Sequence, residues 1–111
     1  MPKIYVAGHK GLVGSALMRA LKRQGYDNLV TADSSEVDLT RQKQVESFFR
    51  EESPEVVFVS AAKVGGILAN STKPADFIYK NLLIEANVIH EAFRSNVRRL
   101  IFLGSSCIYP K

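Results

Sequence analysis

The chain has 111 residues, 46% of them hydrophobic and 23% charged, with a formal charge of +4 and a single cysteine. That is room for one domain with one core, and one thiol excludes an internal disulfide. No apolar run reaches the ~18 residues of a membrane span and no signal-peptide pattern is present, so a cytoplasmic location and no membrane partner are expected. The basic residues Lys22, Arg23, Arg41, Lys43, Lys80, Arg94, Arg98 and Arg99 are spread over several helices among acids, so nucleic acid is not an expected partner either.

Lys3-Ile4-Tyr5-Val6-Ala7 reads as a buried strand running straight into Gly8-His9-Lys10-Gly11-Leu12-Val13-Gly14 and then a helix. Such a turn lets the backbone bend sharply, approach a pyrophosphate and bring helix and strand together, with the helix N–H groups facing the anion. Three glycines alone also describe a tight turn without a ligand. The strand before, the helix after, and Asp33 nineteen positions past Gly14, where a ribose-binding acid is expected, favour the dinucleotide reading.

Leu12, Val13, Ala16, Leu17, Ala20 and Leu21 recur at the helical spacing of an amphipathic helix, which Gly25 closes. A short second strand follows over 29–32. A helix over 41–52 buries Val45, Phe48 and Phe49, with Thr40 as its expected N-cap and Pro54 as its stop. The run 56–60 is continuously apolar up to Ser60 and reads as a third strand covered on both faces. After a polar loop ending at Pro74, the segment 75–95 is a long helix, apolar on nearly every side and so not mostly exposed. The run 100–103 makes a fourth strand.

Alternating strands and helices imply parallel pairing with right-handed crossovers. The expected fold class is α/β, a Rossmann-type parallel sheet with flanking helices, truncated after the fourth recognisable strand. The expected organisation is one incomplete dinucleotide-binding domain over 1–111, without a substrate domain. On that scheme the unusual residues collect beyond the carboxyl ends of the strands, where open parallel sheets bind ligands. The glycine loop follows the first strand, Asp33-Ser34-Ser35 the second, Ala61-Ala62-Lys63-Val64-Gly65-Gly66 the third and Ser105-Ser106-Cys107 the fourth.

The glycine loop, Asp38-Leu39-Thr40, Ala61-Ala62-Lys63-Val64-Gly65-Gly66, Phe77-Ile78-Tyr79-Lys80-Asn81 and Phe102-Leu103-Gly104-Ser105-Ser106-Cys107-Ile108-Tyr109-Pro110 together resemble the GDP-L-fucose synthase family of extended short-chain dehydrogenases. Two of these motifs, Ala-Ala-Lys-Val-Gly-Gly and Ser-Ser-Cys-Ile-Tyr-Pro, separate that family from sister nucleotide-sugar epimerases. The resemblance implies an enzyme that epimerises GDP-4-keto-6-deoxy-mannose at C3 and C5 and then reduces C4 with NADPH. It implies that Ser105 hydrogen-bonds the keto oxygen and helps to stabilise an enolate, and that Cys107 is the acid/base thiol. It places Asn81 and Ser106 near the substrate, and Gly8, Gly11, Leu12, Val13, Gly14, Asp33, Asp38, Leu39, Ala61, Ala62 and Lys63 on the cofactor. Lys10 matches a basic residue that pairs with the adenosine 2′-phosphate.

By residue type alone a lone cysteine is most often a small buried hydrophobe, while Asn81 is equally a helix hydrogen bonder and Lys63 equally a solvated loop residue. His9 and His90 lack metal spacing and receive no role; no metal is expected. The sequence departs from the family where an arginine is expected at the end of the second strand, because Ala32-Asp33 stands there. Asp33 suits a free ribose 2′-OH and therefore NAD, whereas Lys10 with Ser34 and Ser35 suits a 2′-phosphate. NADP is the expected cofactor and NAD the alternative.

None of Tyr5, Tyr26, Tyr79 or Tyr109 has a lysine four positions on. In the family that catalytic pair, the histidine partner of the cysteine and most of the sugar-nucleotide domain lie beyond the position of Lys111. The expectation is a fragment inactive alone, from an enzyme that takes a GDP-sugar and forms a homodimer at full length. The alternatives are a non-catalytic nucleotide-binding module, or another NAD-dependent nucleotide-sugar epimerase or dehydratase.

Overall fold

Four consecutive residues, Ile4, Tyr5, Val6 and Ala7, are all buried, which requires a strand with neighbours on both edges and cover on both faces. The computed structural model describes residues 2–33, 35–60 and 74–102, apart from the side chains of 74–78. In it β1 (Ile4–Ala7) is an inner strand of a four-stranded parallel sheet. The chain continues through α1 (Leu12–Arg23), β2 (Leu29–Val30), α2 (Gln42–Glu52), β3 (Val56–Val59), α3 (Pro74–Arg94) and β4 (Arg99–Phe102). The strand order is β2-β1-β3-β4, with Ile4 opposite both Leu29 and Val56, and Val56 opposite Arg99. The chain steps to one side of β1 to make β2 and to the other to make β3. The order therefore reverses at β1, and a crevice opens between the carboxyl ends of β1 and β3.

One face of the sheet holds the core. Tyr5, Ala7, Val57 and Val59 meet Val45 and Phe49 of α2 and Val88 and Ala92 of α3. Side chains alternate across a strand, so Ile4 and Val6 face the other way, toward the side that α1 covers. The Tyr5 ring lies 4.7 Å from Phe48 and 5.8 Å from Phe49, tilted against the first and edge-on to the second, as aromatic quadrupoles prefer. Its burial pushes the phenol above its ordinary pKa range.

Several expectations need correction. Leu12, Val13 and Ala16 are not part of a buried face: Leu12 is 88% exposed and Val13 is exposed beside it. Gly14 is the residue of α1 that lies buried, so the contact face turns away from them. Thr40 does not cap α2; Arg41 stands at the cap position without a side-chain capping bond, and the Thr40 hydroxyl instead donates to Asp38. β2 is two residues long rather than four, as an edge strand paired only with β1. β3 buries Val57 and Val59 but only half-buries Val56 and Phe58, so its two faces are unequally covered. The long helix is also one-sided. Val88, Glu91 and Ala92 are buried, while Tyr79, Leu82, Ala86, Ile89 and Phe93 form an exposed stripe.

The inner and outer faces should differ sharply on mutation. Phe49→Ala, in the core, should cost about 3–5 kcal/mol in urea unfolding of dilute protein. Phe93→Ala, at 82% exposure, should shift stability by less than about 0.5 kcal/mol. Equal losses would show that α3 does not pack as described.

Candidate functional site at the carboxyl edge of the sheet

The chain leaves β1 and turns at Gly8, whose φ of 85° lies in the left-handed region that glycine adopts without strain. The Gly11 N–H donates to the Gly8 carbonyl at 3.0 Å and closes the turn. Gly11 is then the N-cap of α1, with no side-chain cap and no acid in the first turn. The first N–H groups of a helix have no intrahelical partner, and the first turn of α1 holds no acid of its own to offset the positive end of the helix dipole. An anion is the natural complement of such an end.

Gly14 has a different reason to be glycine. A Cβ there would collide with the Gly8 carbonyl, lying 2.7 Å from its carbon and 2.8 Å from Ser60 Oγ. At Gly11 a Cβ would meet only the Gly8 carbonyl oxygen, at an ordinary 3.4 Å. The fold therefore demands glycine at position 14 and leaves position 11 to the demands of a ligand.

Ser60, the residue after β3, straps the turn in place. Its N–H and its hydroxyl both donate to the Ala7 carbonyl, at 2.9 and 2.8 Å, and the hydroxyl also approaches the Gly8 carbonyl at 3.4 Å. In the sequence Ser60 marks only the end of a strand, and its one signal is a hydroxyl closing an otherwise apolar run.

Beyond β2, Asp33 meets the same turn. Its Oδ1 is 2.8 Å from Lys10 Nζ and 3.6 Å from His9 Nε2. The Lys10 ammonium holds the Asp33 carboxyl below the usual range, and His9 adds to the effect. His9, given no role from the sequence, thus belongs to the cluster. The Asp33 carbonyl accepts from the Glu36 and Val37 N–H groups at 2.8 and 2.9 Å, and the Asp33 N–H donates to Glu36 Oε1 at 2.9 Å.

Asp38 turns its carboxylate inward on its own loop. Oδ1 accepts from the Thr40 hydroxyl at 2.6 Å and from the Thr40 N–H at 3.0 Å, and these bonds hold the carboxyl below its ordinary range. Its N–H donates to Gln44 Oε1 at 2.8 Å. Leu39 packs against the core and its carbonyl accepts from Asn87 Nδ2 at 2.9 Å.

The structure thus gathers Gly8, Lys10, Gly11, Leu12, Val13, Gly14 and Asp33 around one turn, with Asp38 and Leu39 on the loop that Asp33 opens. Asn81 sits half-buried on α3, and among the described residues no hydrogen bond joins it to this cluster. Ser34, Ala61, Ala62, Lys63, Ser105, Ser106 and Cys107 lie outside the described residues. Chemically, the arrangement offers N–H donors suited to one phosphate group and, on the turn itself, a lysine paired with the acid that follows β2.

Residues 4–111 match the profile of the NAD dependent epimerase/dehydratase family. GDP-L-fucose synthase 1 of Arabidopsis thaliana is 62% identical over 109 residues, which cover 98% of this chain and 34% of that protein. The GDP-L-fucose synthase of Escherichia coli strain K12 is 50% identical over 109 residues, again 98% of this chain and 34% of the relative. Among solved structures, MlghC, a GDP-mannoheptose C4 reductase from Campylobacter jejuni with NADP bound, is similar with a TM-score of 0.87 and 47% identity, over 98% of this chain and 34% of that one. The chain spans about a third of the length of the curated relatives it matches.

The glycine turn can be tested without a ligand. Gly14→Ala should lower the stability of the chain by about 1–3 kcal/mol or more, since a backbone carbonyl must move to admit the methyl group. Gly11→Ala should leave the melting temperature nearly unchanged. The reverse ranking in thermal unfolding would contradict the packing described.

Proposed function

The chain belongs to the NAD dependent epimerase/dehydratase family, and from that premise we propose that it is the cofactor-binding part of a GDP-L-fucose synthase-type enzyme. That enzyme epimerises GDP-4-keto-6-deoxy-mannose at C3 and C5 and reduces C4 with NADPH. The observation that carries the cofactor half of this reading is the turn in which Gly14 lies against Gly8, leaving the uncapped end of α1 open at the point where the strand order reverses. The identities with GDP-L-fucose synthases support the substrate half.

In this reading the first N–H groups of α1 hold the pyrophosphate, and Lys10 leaves Asp33 to take the 2′-phosphate. The phosphate carries about −1.5 to −2 charges against the single charge of a carboxylate, and its three oxygens are strong acceptors. It is therefore the better partner for the ammonium. The relative that holds NADP supports the phosphorylated cofactor. Asp33 works the other way, as an acceptor for an unphosphorylated ribose, and so sets how far NADH competes. NADPH, when bound, supplies the hydride for C4.

Ser105 and Cys107 are assigned to the sugar. Ser105 donates to the C4 keto oxygen, which makes the protons at the neighbouring carbons removable by spreading the developing charge. The Cys107 thiol, with a reference pKa of about 8.5, exchanges the proton during epimerisation. The proposal includes a cytoplasmic location; among the described residues no helix is long and apolar enough to cross a membrane.

The exposed stripe of α3 belongs to the same proposal. Tyr79, Leu82, Ala86, Ile89 and Phe93 are spaced alternately three and four apart, the seam of a helix that packs against another helix. A homodimer through α3 would cover it.

Two outcomes test these assignments. In fluorescence titration the chain should bind NADPH and, more weakly, NADH. Gly11→Val should abolish both without unfolding the chain, and Asp33→Asn should raise the NADPH-to-NADH affinity ratio roughly tenfold, near the low end of a hydrogen bond to a charged group at about 1.5 kcal/mol. Equal binding by wild type and Gly11→Val would overturn the reading. In sedimentation the chain should self-associate and Leu82→Glu should return it to monomer; a monodisperse wild-type monomer at high concentration would remove the dimer from the proposal.

A further inference from the structure

The loop between β2 and α2 is fastened from α3, a helix that follows it by more than thirty positions. Asn87, half-buried, donates from Nδ2 to the Leu39 carbonyl at 2.9 Å across 48 positions of sequence. One turn further on, Glu91, only 2% exposed, accepts from Gln42 Nε2 at 2.8 Å. Residues four apart share a helix face, so α3 grips the segment 39–42 at two points from one side. The bonds around Asp33 and Asp38 are of another kind. Apart from the contacts of the Asp33 carboxylate with Lys10 and His9, they run from Asp33 to Glu36 and Val37 and from Asp38 to Thr40 and to Gln44 at the start of α2, and so fix the local shape of the loop. Where that shape stands over the sheet is set from outside it.

We propose that Asn87 is a positioning residue for the adenosine half of the dinucleotide. By holding the Leu39 carbonyl it sets the distance of the 33–39 loop, and with it Asp33, from the turn that carries Lys10. This rests on the cofactor reading above. Without the Nδ2 donor the Leu39 carbonyl loses its partner, and the loop shifts to find another. The Lys10–Asp33 separation of 2.8 Å is the quantity such a shift would change, and a hydrogen-bonding contact weakens steeply once it leaves the range of about 2.7–3.2 Å.

The test uses Asn87→Leu, of similar size and without the donor, and three ligands. These are NADPH, 2′,5′-ADP as the adenosine half alone, and reduced nicotinamide mononucleotide as the other half. Titrations are run well below the melting transition, so that the folded fraction is the same for both proteins. Asn87→Leu should weaken NADPH and 2′,5′-ADP by the same roughly 5–10-fold and leave the mononucleotide unchanged. A merely structural role would weaken all three ligands together, or lower the melting temperature and leave binding alone; either result overturns the inference. If Asn87→Leu does not fold, Asn87→Gln, which keeps the amide but moves it by roughly 1.5 Å, is read by the same criteria. A wild-type chain that binds none of the ligands overturns the cofactor reading and this inference with it. Wild-type binding matched by an unaffected variant overturns this inference alone.

Discussion

How closely α1 can lie on β1 is the constraint from which the carboxyl edge of this sheet follows. The helix begins within a few residues of the strand's end, so the chain must reverse in one turn, and Gly8 supplies the left-handed backbone for it. The helix must then pass over the Gly8 carbonyl at a separation that no Cβ at position 14 permits. Ser60 completes the arrangement from the neighbouring strand, with two donors on one carbonyl of β1. The same approach that buries Gly14 fixes where the first turn of α1 lies, so the packing of helix on strand also sets the position of its unpaired N–H groups.

Charge is arranged around that turn with the same economy. The first turn of α1 holds no acid, while Asp33 lies one strand away and is engaged by Lys10. The cation and the carboxylate pair at a largely exposed site, where such a pair contributes little to stability. Asp38 is a contrasting acid, because its Oδ1 is committed to Thr40 and serves the shape of the loop.

The elements were legible in the sequence because their signals are local. A run such as Ile4-Tyr5-Val6-Ala7 declares a central strand, and Val45 with Phe49 declares the inner face of α2 to within a residue of its start. The glycine turn was legible too, since its spacing carries both the bend and the close approach. Errors arose where a local rule met a nearer competitor. Thr40 has the right type and place for a cap, but the Asp38 carboxylate two residues back captures its hydroxyl. Leu12 and Val13 continue a helical period that Gly14 interrupts by turning the helix toward the strand. Ser60, His9 and Asn87 were passed over because their partners lie on other elements, and a hydrogen bond spanning 53 or 48 positions leaves no periodic trace. Family membership rests on the whole match of residues 4–111, whereas the roles proposed for Ser105 and Cys107 rest on the motif alone.

The two flanks of the sheet are not equivalent. β2, at one flank, is two residues long, so it offers an approaching chain scarcely more than one pair of ladder bonds. β4, the outermost strand on the other flank among the described residues, is four residues long and in full register with β3. A short edge resists recruitment of further strands and a longer one invites it. Growth of this architecture, whether by more of its own chain or by an unwanted neighbour in a crowded solution, is therefore directional, and the flank to shield against aggregation during handling is that of β4.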